Sequence, residues 1–263
     1  VDGTNTAATT MTLSGGSTWA HDEDLTLTSS VAHFSSAGVG NLEIHMTDSL
    51  GDIIRLRITA YTSTTVVTAR SHKIVPTTMR STALTTWGDA TGTVTNLWHL
   101  EGQNVGAFCD GFVEASPNNP SHTTLTVSGG TATLSQKYVV KHIGLPITAD
   151  LETLDVDTAE SETTADKLSL TNEVTLTVED TRGLWAGTSA PLTDVIDPEL
   201  MAEFQIRSEE SAESSVRLVT ENISTPMFSE WLQGGRIFIR QVDPVPSTIL
   251  SIHGGGFYPF RGA

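Results

Sequence analysis

The chain has 263 residues, 38% hydrophobic and 17% charged, with 22 glycines; an average soluble domain is ~25% charged, and here Thr, Ser and Gly fill the difference, a balance that favours strands and tight turns. Acids outnumber bases 31 to 14 for a formal net charge of −17, which excludes a surface built to grip nucleic acid by neutralising phosphates. No run approaches the ~20 consecutive apolar residues of a membrane-spanning helix, the start lacks a signal-peptide layout, and the single Cys109 excludes an intrachain disulfide and has no zinc-spaced partner, so it reads as a small core hydrophobe.

In chain order, alternating or β-branched runs predict strands over Leu25–Thr28, Ile53–Ala60, Thr64–Ala69, Thr123–Val127 and Thr131–Leu134. Gly129-Gly130 lies between the last two, where a tight hairpin requires residues that accept positive φ. Further strands are expected over Glu173–Val178, Ala202–Ile206, Val216–Thr220, Arg236–Gln241 and Thr248–Ile252. Asp197-Pro198-Glu199 is the best helix start, but the period-two run Phe204–Arg207 that follows limits it to one turn before a strand. The fold class is therefore all-β: several small β-barrel or β-sandwich modules with short turns and very little helix. Three parts are expected: residues 1–96, 97–150 and 151–263. Between Asp150 and Asp166 the chain carries seven acids and no Lys or Arg, either a solvated loop or an acidic surface facing a lumen or partner.

Two segments carry a resemblance. Trp98–Val113 reads WHLEGQNVGAFCDGFV and Tyr138–Asp157 reads YVVKHIGLPITADLETLDVD. Together they resemble the hairpin-bearing module of podovirus (short-tailed phage) tail nozzle proteins, also called tail tubular protein B, at His99, Leu100, Glu101, Gly102, Val105, Asp110 and Gly111, then His142, Gly144, Leu145, Pro146, Thr153 and Leu154. The C-terminal third is similar in the same way, through Thr181-Arg182-Gly183-Leu184 and through Gly235, Ile237, Ile239, Gln241, Pro244, Pro246, Thr248 and Leu250. Residues 1–96 look like the small β-barrel module inserted ahead of this motif. Members of that family are longer, and the chain begins at Val1 without Met, so a portion of a longer protein is expected.

The resemblance implies a virion structural protein, a homohexameric ring in the tail that contacts the tail adaptor and tail fibre proteins, and passes double-stranded DNA through its lumen without sequence-specific binding. Inward-facing acids would keep phosphates from sticking to the wall, acting within a Debye length of ~8 Å; Asp150, Glu152, Asp155 and Asp157 are the channel-lining candidates. By the residues themselves, Gly102, Gly111 and Gly144 belong where φ is positive or backbones approach closely, and Leu100, Val105, Phe108 and Leu145 belong in a core.

His99 and Glu101, two apart on a strand, would share a face as an acid–base pair, but no nucleophile or second acid is placed with them. Asp22-Glu23-Asp24 and Asp155-Val156-Asp157 offer carboxylates to Ca²⁺ without the spacing of a calcium loop. Gly254-Gly255-Gly256 lacks the Lys-Ser/Thr of a phosphate cradle. The sequence thus predicts no enzyme, no metal and no cofactor. The alternative is a receptor- or carbohydrate-binding tail-fibre or adhesin module using the C-terminal aromatics Trp185, Trp231, Phe257, Tyr258 and Phe260; an envelope-degrading enzyme would require paired carboxylates in a cleft.

Overall fold

The computed structural model describes residues 9–155, 168–206, 217–228 and 231–259. The strands are, in chain order, β1 (Met11–Ser14), β2 (Asp24–Ser29), β3 (Glu43–Thr47), β4 (Ile53–Tyr61), β5 (Val66–Ser71), β6 (Ala83–Leu84), β7 (Trp87–Val94), β8 (Asn104–Cys109), β9 (Phe112–Ala115) and β10 (Leu125–Thr126). They continue as β11 (Ala132–Tyr138), β12 (Lys141–Gly144), β13 (Ala149–Glu152), β14 (Leu168–Glu179), β15 (Leu184–Gly187), β16 (Met201–Glu203), β17 (Asn222–Pro226), β18 (Leu232–Gln233), β19 (Phe238–Gln241) and β20 (Thr248–Pro259). Helix among the described residues is confined to three-residue 3₁₀ turns at Ser36–Gly38, Thr77–Met79 and Trp98–Leu100. The all-β expectation holds.

Contacts divide the chain into two compact units: residues 1–98, 129–142 and 212–214, and residues 99–128, 143–211 and 215–263. The segment expected as a middle part is thus shared between them. Charge divides unevenly: the first unit has seven Lys and Arg against nine Asp and Glu, the second seven against 22.

The first unit is an eight-stranded sheet in the order β11-β7-β3-β4-β5-β2-β1-β6. Every second residue faces inward, so Leu25, Leu27, Ile44, Met46, Ile54, Leu56, Ile58, Val67 and Ala69 form one core with Met11, Leu13 and Trp87. β6 leads into β7 after only two residues, so the strand path returns on itself. The 17–23 turn is closed by Glu23, whose carboxylate accepts from the backbone N–H of Thr18 and Ala20 and from the hydroxyls of Ser17 and Thr18. These bonds, led by that of the Ser17 backbone, hold it well below the usual carboxylate range.

The second unit contains three four-stranded sheets: β10-β8-β12 with β9 on β8, β13-β19-β15-β16, and β17-β14-β18 with β20 on β14. β19 separates two apolar clusters by alternation. Ile237 and Ile239 pack with Val174, Leu176, Val178, Leu184 and Phe204, whereas Phe238 and Val242 pack with Trp185, Ile196 and Met201.

Two local expectations are corrected. Gly129 and Gly130 do adopt positive φ, 60° and 65°, but they form no hairpin: β10 pairs with β8 and β11 with β7. A Cβ on Gly130 would lie 2.6 Å from the Trp98 ring, so the glycine serves close packing. The two-residue turn is instead Asp110-Gly111, with φ 49° and 85°, joining β8 to β9. Among Val216–Thr220, Val216 lies outside the described residues, and the rest contribute only an isolated bridge from Val219 to Thr181. There the Arg182 guanidinium donates to the Arg217 carbonyl and the Thr220 hydroxyl accepts from the Asp180 N–H, side-chain bonds that replace a ladder.

Candidate functional site

The residues of the C-terminal motif converge in the second unit. Thr181, fully buried, donates its hydroxyl to the Glu179 and Thr248 carbonyls and accepts the Thr248 N–H at 2.7 Å. Gln241 donates to the carbonyls of Arg182 and Val245 and accepts the Ser247 hydroxyl. Gly183 has φ +73°, and a Cβ there would lie 2.8 Å from Asp243 Oδ2. The Thr-Arg-Gly-Leu turn and the Gln-x-Asp-Pro segment, about sixty residues apart in the chain, are therefore one hydrogen-bonded joint.

Beside this joint lies a cleft of about 450 Å³, walled by Phe108, Phe112, Val113, Leu218 and Val245 and carrying His122, Arg182, Glu203 and Asp243. Asp243 is buried; Asn119 donates to both carboxylate oxygens at 3.0 and 3.1 Å, and His122 Nε2 lies 3.7 Å away. Burial would raise the Asp243 pKa, but its bonds with His122, Asn119 and Ser116 leave it lowered. Asp243 in turn raises His122, and burial raises Glu203. Two carboxylates with pKa values pushed apart in one cleft is an arrangement acid–base chemistry uses. Among the described residues no Ser, Cys or Lys lines it, and Asp243 is committed to Asn119. Sequence reasoning missed this site because Asn119, His122, Glu203 and Asp243 come from four separated segments; the pair Asn119-Pro120 with Asp243-Pro244 was its only local signal.

The channel-lining candidates occupy an exposed edge. β13 pairs antiparallel with β19, setting Asp150 opposite Arg240 and Glu152 opposite Phe238. Arg240 is buried to 4% exposure and donates Nε and Nη2 to the two Asp150 oxygens at 2.7 and 2.8 Å. Arg236 pairs with Glu152 at 3.2 Å and with Asp155. Three acids therefore meet two guanidinium groups, and most of their charge is matched within the chain. Asp157 lies outside the described residues, as do Glu160, Glu162 and Asp166 of the acidic run.

His99 and Glu101 are exposed in the 3₁₀ turn and the turn that follows it, not on a strand face as expected: Leu100 between them is a core residue at 6% exposure. Cys109 is buried. Gly102 and Gly111 have positive φ, whereas Gly144 does not and has open space around it. Leu100 and Val105 are core residues, but Leu145 is 59% exposed, and Ile147 and Leu154 are more exposed than half as well. Asp22 and Asp24 pair with Arg57 and Arg70. Trp185 is buried and Trp231 half exposed; the side chains of Phe257 and Tyr258, and Phe260 altogether, lie outside the described residues. No group of three or more metal-ligating side chains occurs among the described residues, and no described helix is long and apolar enough to cross a membrane.

No known protein-family model matches this chain. A search of curated proteins likewise gave no match.

Proposed function

We propose that this chain is a structural subunit of a podovirus tail nozzle, a virion protein that closes into a homohexameric ring, contacts tail adaptor and tail fibre proteins, and retains and then passes duplex DNA. Its work in this reading is geometric, with no catalytic step and no cofactor. The observation that carries it is the behaviour of the Gly-Leu-Pro segment. Leu145, Ile147, Leu151 and Leu154 are exposed within ten residues, so the apolar positions of the motif that bears the resemblance are left over from their own core. Clustered exposed apolar side chains mark an assembly surface, and a heterologous contact repeated around an axis closes a ring. The neighbouring acids Asp150, Glu152 and Asp155, already largely balanced by Arg236 and Arg240, would give a lumen wall that neither attracts nor strongly repels phosphate. The test is mass photometry of the protein with negative-stain class averages: a six-fold ring with an open axis supports the reading, and a monomer or trimer at micromolar concentration removes it.

The cleft of Phe108, Phe112, His122, Glu203 and Asp243 favours a second reading, a receptor- or carbohydrate-binding module. It requires glycan binding that Glu203→Gln abolishes; a glycan array with no hits removes it.

A further inference from the structure

The polar face of the first unit holds a second cleft, of about 460 Å³, lined by His21, Asp22, Glu43, Arg55, Arg57, Arg70, Ser71 and His72. Three of the chain's 14 bases meet here, in a protein of strongly negative charge. The sheet register forces them together. Arg57 and Arg70 are directly opposite on β4 and β5, with Asp24 beyond Arg70 on β2 and Glu43 beyond Arg57 on β3. Like charges directly opposed destabilise a ladder, so negative charge between them is favourable.

The protein supplies part of one. Asp22, at φ 62°, reaches Arg57 at 3.5 Å and Arg70 at 3.6 Å. Both distances exceed the ~2.7–2.9 Å of a charge-assisted hydrogen bond, so Asp22 bridges the pair without satisfying it. Arg70 is otherwise held by Asp24 at 2.6 and 3.2 Å, and Glu43 is taken by Lys137 at 3.2 Å. Among the described residues, Arg55 donates Nη1 only to the neutral Gln136 amide oxygen at 3.2 Å. Two guanidinium groups, Arg55 and Arg57, thus face the cleft short of a strong carboxylate partner. The volume falls within the ~300–1,000 Å³ of small-ligand pockets and far exceeds a single anion, while the lining is polar and has no aromatic ring apart from the imidazoles.

We propose that this cleft binds a phosphate monoester on a small polar carrier such as a sugar, its oxygens taken by Arg55 and Arg57, with Asp22 as the internal group that it displaces. Planar guanidinium forks match the oxygen geometry of phosphate, and the polar lining leaves room for hydroxyl groups. The site is independent of ring assembly and of the cleft in the second unit.

The test is calorimetric titration of the 263-residue protein with glucose 6-phosphate, with inorganic phosphate as the second probe. Saturable one-to-one binding is expected. Arg55→Gln and Arg57→Gln should each weaken it by about ten-fold or more, Asp22→Asn should tighten it, and Arg217→Gln in the other unit, with the same charge change, should leave it unaltered. Equal affinity for both probes assigns recognition to the phosphate alone, and tighter binding of the ester adds the sugar; both outcomes uphold an oxyanion site. Absence of saturable binding by either probe overturns the proposal. So does an equal loss in Arg217→Gln, or weaker binding in Asp22→Asn. Thermal unfolding of each variant verifies folding, and if Arg57→Gln unfolds, Arg55→Gln and Asp22→Asn decide.

Discussion

Gly183 and Asp243 define each other: the carboxylate can sit buried against the chain only because no Cβ stands at position 183, where φ is +73° and the approach would be 2.8 Å. Gly183→Ala is expected to cost about 1–3 kcal/mol, from the left-handed backbone and the displaced carboxylate together, read as a lower denaturant midpoint at unchanged slope. The same cluster sets a pH response. His122 is raised by Asp243, so its contribution is complete below its ordinary value of 6.5 and lost as pH climbs through the higher folded value. Glu203 is raised by burial; the folded chain holds that proton more tightly than the unfolded one, and the stability this adds is lost as pH rises from 4.5 through the folded value. Asp243 is lowered and acts oppositely, contributing above 3.8 and failing only as pH falls through its depressed value. Unfolding midpoints should therefore decline as pH rises above the ordinary Glu203 value of 4.5 and on past the ordinary His122 value of 6.5, with Glu203→Gln flattening the lower part of the decline and His122→Gln the upper. A midpoint profile unchanged in both variants would refute this assignment. At this scale the sequence made single residues legible where one local rule decides, as for Gly111 and Cys109. Leu145 shows the converse: apolar character does not say whether the facing surface belongs to the same chain.

β13 is a strand whose four residues are all exposed, yet it is held to β19 by a regular ladder and by arginines on one face. The two pairs differ in depth. Asp150→Ala leaves the Arg240 head buried beside Phe238 without its carboxylate and is expected to cost about 1–2 kcal/mol, less than for a fully buried pair because Asp150 is itself partly in water. Asp155→Ala removes a half-exposed contact with Arg236, and its small effect should vanish in high salt. Urea titrations of both variants at low and high salt make the comparison. Most strands were legible from alternation, with ends displaced by a few residues: Ile53–Ala60 is β4, and Glu173–Val178 lies towards the C-terminal end of β14. Partnering was not. Thr123–Val127 and Thr131–Leu134 read as a hairpin because their spacing is short, but pairing is decided by which edge each run can reach, and a two-glycine link allows either. The arginine pairs escaped notice because Arg236 and Arg240 lie some eighty residues from the acids they neutralise, and the acidic run alone reads as free negative charge.

For the whole molecule, the apolar residues of the Gly-Leu-Pro segment offer a separation of assembly from stability. Leu145→Asp with Leu154→Asp should abolish rings in mass photometry while shifting the unfolding midpoint by no more than about 0.5 kcal/mol, since both side chains lie outside the core. Rings that persist in the double variant would place the interface elsewhere. The two-unit division, by contrast, was beyond the sequence: composition shifts gave parts in chain order, whereas contacts take β11 back to β7 past the whole of residues 99–128. That return has a consequence for biosynthesis. As the polypeptide leaves the ribosome, β7 emerges about forty residues before β11, at a synthesis rate of ~5–20 residues per second, and for those seconds its edge is open while β8, β9 and β10 are already outside the tunnel. The nascent chain must keep that edge vacant against a nearer strand, so a translational pause that holds residues up to 128 outside the tunnel and β11 still inside would favour mispairing, and one after residue 142 has emerged would not.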